Sequence, residues 1–163
     1  MAELTNLETK LAEVLGLAQA AQGATGKVKG MLDSDGALGE TLERMKTEAA
    51  ETEERCTSVA ESFEGKKTAI LDKAREVKGE ATEMMNTYLQ GEDDPLDGFE
   101  FLTMAEAGEV GHLMIVRKLN ERAGNPQVTE LVEWALPIQE RHLQDTLDGS
   151  LQLAGQEDPN ETG

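Results

Sequence analysis

The sequence predicts an all-α protein, an antiparallel four-helix bundle with an extra helical segment between the second and third bundle helices. Three observations predict it. Apolar residues recur at three-four spacing through five long stretches. Aromatic residues make up only 3% of the 163-residue chain, so the core must be built from Leu, Ala, Val and Met. Such a composition suits helix-on-helix packing better than a sheet. The stretches are separated by short breaks rich in Gly, Asp and Pro, and strand-like alternation, sequence repeats and a Gly-rich phosphate loop are all lacking. Residues 1–155 read as one helical domain and residues 156–163 as an acidic flexible tail.

Thr5 or Asn6 can cap a first helix running to about Leu32, with Leu4, Leu7, Leu11, Val14, Leu15 and Ala18 as its stripe. Glu8 lies at the edge of that stripe. Gly16, Gly23 and Gly30 recur every seven residues; they either admit a close neighbour or weaken the helix, and the second reading is favoured. Asp33-Ser34-Asp35-Gly36 is a turn. A second helix follows from about Ala37 to Phe63, with a four-three seam from Leu38 and Leu42 to Val59 and Phe63 that includes Cys56. Of its many acids only Glu48 lies close to the seam, with Arg55 one heptad away on the same edge. Glu64-Gly65 breaks the pattern. A third segment runs from about Lys66 to Leu89, its apolar face extending from Ile70 to Met84, Met85 and Tyr88. That face is not obviously covered within one chain, and a homodimer would cover it.

Gly91-Glu92-Asp93-Asp94-Pro95 is a stop, with Asp93 or Asp94 as the cap of the next helix rather than a calcium loop. That helix runs from about Leu96 to Ala123. Gly124-Asn125-Pro126 ends it and starts the last one, which reaches about Leu153 and should be kinked or split at Pro137.

A net charge of −18 leaves no basic footprint for nucleic acid and disfavours an anionic membrane. The apolar runs are too short to span a bilayer. The single cysteine, Cys56, excludes an internal disulfide and a thiolate zinc site, and its place in the seam marks it as an inert core residue. MAELTNLETK lacks the features of a secretory signal, and a soluble cytoplasmic protein is expected.

The candidate site lies in the last two helices. Leu102, Ala105, Leu113, Val116 and Leu119 form one stripe, and Glu109 sits in its middle. A carboxylate there needs a partner, because an unpaired buried charge is costly. His112, three residues on, neighbours it. On the last helix Gln139 interrupts the stripe of Val128, Val132, Ala135, Leu136, Leu143 and Leu147, and His142 follows three residues later. The short connection makes the two helices antiparallel neighbours. Glu-x-x-His projecting into a bundle is the ligand pair of carboxylate-bridged di-metal centres, which hold iron or manganese. Glu109 and Gln139 can equally hydrogen-bond the two imidazoles with no metal present. Glu140, turned about 100° from Gln139, reaches the stripe only if the helix is rotated.

The chain resembles the ferritin-like superfamily, in particular its YciE/YciF-like stress-associated branch. NLETKLAEVL at 6–15 resembles the first-helix motif, AAETEERCTSVAESF at 49–63 the second, and EGKKTAI at 64–70 the following linker. AEAGEVGHLMIVRKL at 105–119 and PIQERHLQDTL at 137–147 resemble the later motifs. The resemblance implies ligand positions at Glu8 and Glu51, at Glu109 and His112, and at Gln139 and Glu140. The chain departs from the usual pattern: its second helix has no histidine, its third bundle helix has one, and Gln139 stands where Glu is expected.

Two functions follow as expectations. One is an iron- or manganese-binding ferritin-like protein, related to stress, with Glu109, His112 and His142 as principal ligands and Glu8 with Glu48 or Glu51 supplying charge. The other is a non-catalytic bundle, a stress or interaction protein with a degraded, metal-free polar core. Gln139 is the residue that separates them.

Overall fold

The computed structural model describes residues 2–33 and 36–163. It contains α1 (Asn6–Lys29), α2 (Ala37–Glu61), α3 (Lys67–Tyr88), α4 (Pro95–Ala123) and α5 (Pro126–Ala154), and no strand among the described residues. Two residues of the expected Asp33–Gly36 turn, Ser34 and Asp35, lie outside the described residues. None of the helices is long and apolar enough to cross a membrane, among the described residues.

The helix ends follow from local chemistry. Thr5 caps α1 in a reciprocal box with Glu8: the Thr5 hydroxyl accepts from the Glu8 N–H, and the Glu8 carboxylate accepts from the Thr5 N–H at 2.8 Å. α1 stops at Lys29, short of the expected Leu32, because Met31 and Leu32 turn back onto the core around Phe99. Asp94 caps α4, its side chain accepting from the Leu96 N–H at 2.9 Å, and Pro95 occupies the first turn. Gly124, at φ 66°, closes α4 in the left-handed conformation, and Asn125 caps α5. α5 continues through Pro137 without splitting. Pro137 and Glu133 are exposed, so water can satisfy the Glu133 carbonyl that loses its partner.

α1, α2, α5 and α4 each touch the next, and α4 also touches α1. Residue pairs give the directions. Arg44 meets Asp145, Glu48 meets Arg141, and Arg55 lies over the Trp134 ring, so α2 and α5 are antiparallel. Gln139 with Glu106 and Thr129 with Asn120 make α5 and α4 antiparallel. Lys29 with Glu43 and Gln22 with Glu53 do the same for α1 and α2. α2 and α4 therefore point the same way, and α3 is the return between them. It runs parallel to α1, with Ala12 near Ile70 and Gly16 near Val77.

Gly16 corrects the favoured sequence reading. A Cβ there would sit 2.5 Å from the Ala74 carbonyl oxygen, so this glycine admits the backbone of α3. Gly23 faces open space, and Gly30 caps the helix.

The core has two apolar ends. One gathers Leu11, Leu15, Cys56, Val116 and Val132. The other gathers Val28, Leu42, Met45, Phe99 and Leu102. Each such side chain contributes about 1.5–3 kcal/mol when fully buried. Between these ends α2, α4 and α5 carry a layer of polar residues.

Candidate functional site

Four-three spacing sets what enters the polar layer. Along α4, from Leu102 onward, the buried positions are Leu102, Glu106, Glu109, Leu113, Val116 and Asn120. Along α5 they include Ala135, Gln139, His142, Thr146 and Gly149. Two acids from α4 thus face an amide and an imidazole from α5, all nearly solvent-free. α2 adds Glu48.

The Gln139 amide holds the centre. Its Nε2 donates to Glu106 Oε2 and, at 3.4 Å, to Glu109 Oε2. His142 Nε2 lies 3.1 Å from Glu48 Oε1, and its Nδ1 lies 3.8 Å from Glu106 Oε2. Arg141 pairs with Glu48 Oε2, and Arg44 reaches Glu48 Oε1 at 3.2 Å and Asp145 at 2.5 Å. Every buried side-chain polar atom among the described residues has a hydrogen-bond partner.

The two ends of this network hold their protons differently. Burial pushes the Glu109 carboxyl well above the ordinary range, the charge of Glu106 and a hydrogen bond to it push further, and Gln139 opposes only in part. Burial also acts to raise Glu48, but Arg141 and His142 outweigh it and hold that carboxyl below its ordinary value.

The structure brings together Glu48, Glu109, Gln139 and His142 of the sequence-derived candidates, and leaves the others elsewhere. His112 is one-third exposed on the far side of Glu109. Its Nδ1 is 2.8 Å from the Gly108 carbonyl, and its Nε2 is 3.3 Å from Glu13 on α1. Glu8 is buried, but its carboxylate serves the α1 cap and pairs with Lys66 at 3.1 Å. Glu51 and Glu140 are exposed. Of the alternatives left open by sequence, Glu48 and Gln139 are the inward ones. Glu106, almost fully buried, was not recognised. The four-three seam used for α2 would have found it on α4, seven residues before Leu113 and four after Leu102.

The donor set does not fit a metal centre. Gln139 offers both carboxyls its N–H donors, while Arg44 and Arg141 already neutralise Glu48. Among the described residues, no three His, Cys, Asp or Glu side chains are arranged to hold a metal ion. Beside Glu106 and Glu109, α1 presents Leu17, Ala20, Ala21 and Ala24, none of which can ligate a metal.

Glu106 and Glu109 also line a cleft of about 330 Å³ between α1, α3 and α4. A larger open groove, about 730 Å³, lies apart from the layer between Glu53–Val59 of α2 and the start of α5.

No protein-family model, curated protein or solved structure matches the sequence.

Proposed function

We propose that this chain is a ferritin-like four-helix bundle with a metal-free polar core, working as a non-catalytic binding or structural protein. The fold part of the reading rests on direction: α2 and α4 run the same way and are joined by the returning helix α3. In such a bundle α1, α2, α4 and α5 are the bundle helices, and α3 is the extra segment.

One observation carries the metal-free reading. The Gln139 amide donates to both Glu106 and Glu109, standing between the two groups that a bridging ion would join. Arginines take the corresponding place at Glu48. The layer then acts as a register lock. Sliding α4, α5 or α2 by one turn would leave a buried carboxyl, amide or imidazole without its partner, costing about 1–3 kcal/mol for each group.

Elemental analysis of untagged protein tests this reading, with Glu106→Ala and His142→Ala as controls. The expected result is iron and manganese far below one per chain and unchanged in both variants. Stoichiometric metal that disappears in both variants would overturn it in favour of a metal-binding centre.

A further inference from the structure

Elsewhere in the bundle, one buried carboxylate and one half-buried carboxylate are answered by the chain's own cations. Glu8 has Lys66, and Glu48 has Arg44 and Arg141. Glu106 and Glu109 differ. Among the described residues neither pairs with a lysine or arginine; their partners are the neutral amide of Gln139 and, 3.8 Å from Glu106, the His142 ring. These two acids also form part of the wall of the cleft between α1, α3 and α4.

The remainder of that wall is mostly apolar, including Leu17, Val77, Ala81 and Met85. Met84 and Met104 also line it, and both are more than half exposed, so they stand at its mouth. Methionine is unbranched and polarizable and adapts to differently shaped apolar ligands. A volume of about 330 Å³ is that of a small-molecule site. The polar side chains on the wall are Glu80, Glu106, Glu109, Thr82 and His112, with no lysine or arginine among them. An anion would meet carboxylates and no fixed cation. A bare or hydrated metal ion would waste the apolar wall. A ligand with an apolar body and one positive head satisfies both parts.

We propose that the cleft between α1, α3 and α4 binds an amphipathic organic ammonium ion, with its apolar chain along Leu17, Val77 and Ala81 and its charged head against Glu106 and Glu109. The ammonium supplies the cation that the rest of the chain does not. The net charge of −18 raises the local concentration of such ligands. This inference rests on the reading of Glu106 and Glu109 as free of metal.

The test uses three probes of equal length: n-octylammonium, n-octanol and octanoate, each below its aggregation limit. They are titrated into the full chain in EDTA, and binding is followed by calorimetry and by the methyl resonances of Met84 and Met104. Octylammonium is expected to saturate, to shift those methyls, and to bind about tenfold more tightly than octanol, as one charge-assisted contact provides. Octanoate is expected not to bind. Glu106→Gln should remove the preference for ammonium over alcohol. Ala81→Trp, which fills the cleft away from the polar layer, should abolish binding of both.

Equal affinity for all three probes, no saturation by octylammonium, or a preference that survives Glu106→Gln would overturn the proposal. Should Glu106→Gln not fold, octylammonium binding that persists in Ala81→Trp would overturn it. Because EDTA is present throughout, failure here is distinct from failure of the metal-free reading, which elemental analysis decides.

Discussion

Glu109-x-x-His112 on α4 and Gln139-x-x-His142 on α5 have the same spacing and opposite outcomes. On α5 both members are buried, and His142 contacts Glu48 of α2. On α4 only Glu109 is buried; His112 turns toward Glu13 and solvent. The difference is one of phase. A buried seam alternates steps of three and four residues. On α5 the step leaving Gln139 is three, to His142, then four, to Thr146. On α4 the step of three precedes Glu109, from Glu106, and the step leaving it is four, to Leu113. Two polar residues three apart share the interior only when the seam takes that step between them.

The largest effect that would break this contrast comes from the α5 pair. Gln139→Leu removes the donor shared by Glu106 and Glu109 and leaves two buried acids facing each other. It should cost about 3 kcal/mol of unfolding free energy in urea at neutral pH. A loss under about 1 kcal/mol would mean that the layer opens to water and that the amide is incidental.

The next effect separates the acids by pH. Glu109 has a raised folded-state pKa, so the folded chain binds its proton more tightly than the unfolded chain. Its contribution is complete below the ordinary carboxyl range and is lost as pH rises through the folded-state value. Glu109→Gln should therefore flatten the decline in melting temperature on the alkaline side of that range. An unchanged slope in the variant would show that Glu109 titrates as a solvated group.

Glu48 has the opposite sign. Its folded-state pKa is lowered, so its contribution is present above the ordinary carboxyl value and disappears as pH falls through the folded one. Glu48→Gln should be less stable than the parent at neutral pH, and the difference should close in acid, as thermal melts would record. A difference independent of pH would mean that packing, not charge, fixes Glu48.

The smallest change is expected at the other histidine. His112→Ala should stay within about 0.5 kcal/mol of the parent in the same urea assay, because its contacts are peripheral and its neighbour Glu13 also pairs with Lys10. A cost comparable to that of Gln139→Leu would erase the contrast.

Much of the helical plan was legible because helix ends are local. Thr5 with Glu8, Asp94-Pro95 and Gly124-Asn125-Pro126 each satisfy orphan backbone groups within a few residues. The site was legible only in part, because burial depends on which face meets a neighbour. A stripe drawn at 100° through Ala105 and Leu119 centred Glu109 but was rotated away from Glu106, and so gave His112 a place it does not hold. Glu8 was misplaced for another reason. Its position among Leu4, Leu11 and Leu15 is inward enough, but Lys66, distant in sequence, claims its carboxylate. Glu48 rather than Glu51 was readable from the seam of α2, where the motif resemblance pointed to an exposed residue.

Cys56 has a consequence beyond packing. It is the sole thiol in the chain, it is fully buried in the apolar end to which all five helices contribute, and burial raises its pKa to about 12. In the closed protein it is shielded from alkylating reagents and held as the unreactive thiol. Labelling must then wait for that end of the bundle to open, so the rate of thiol modification is a clock for its spontaneous opening. The native chain thus carries its own stopwatch, read by mass spectrometry without any introduced probe.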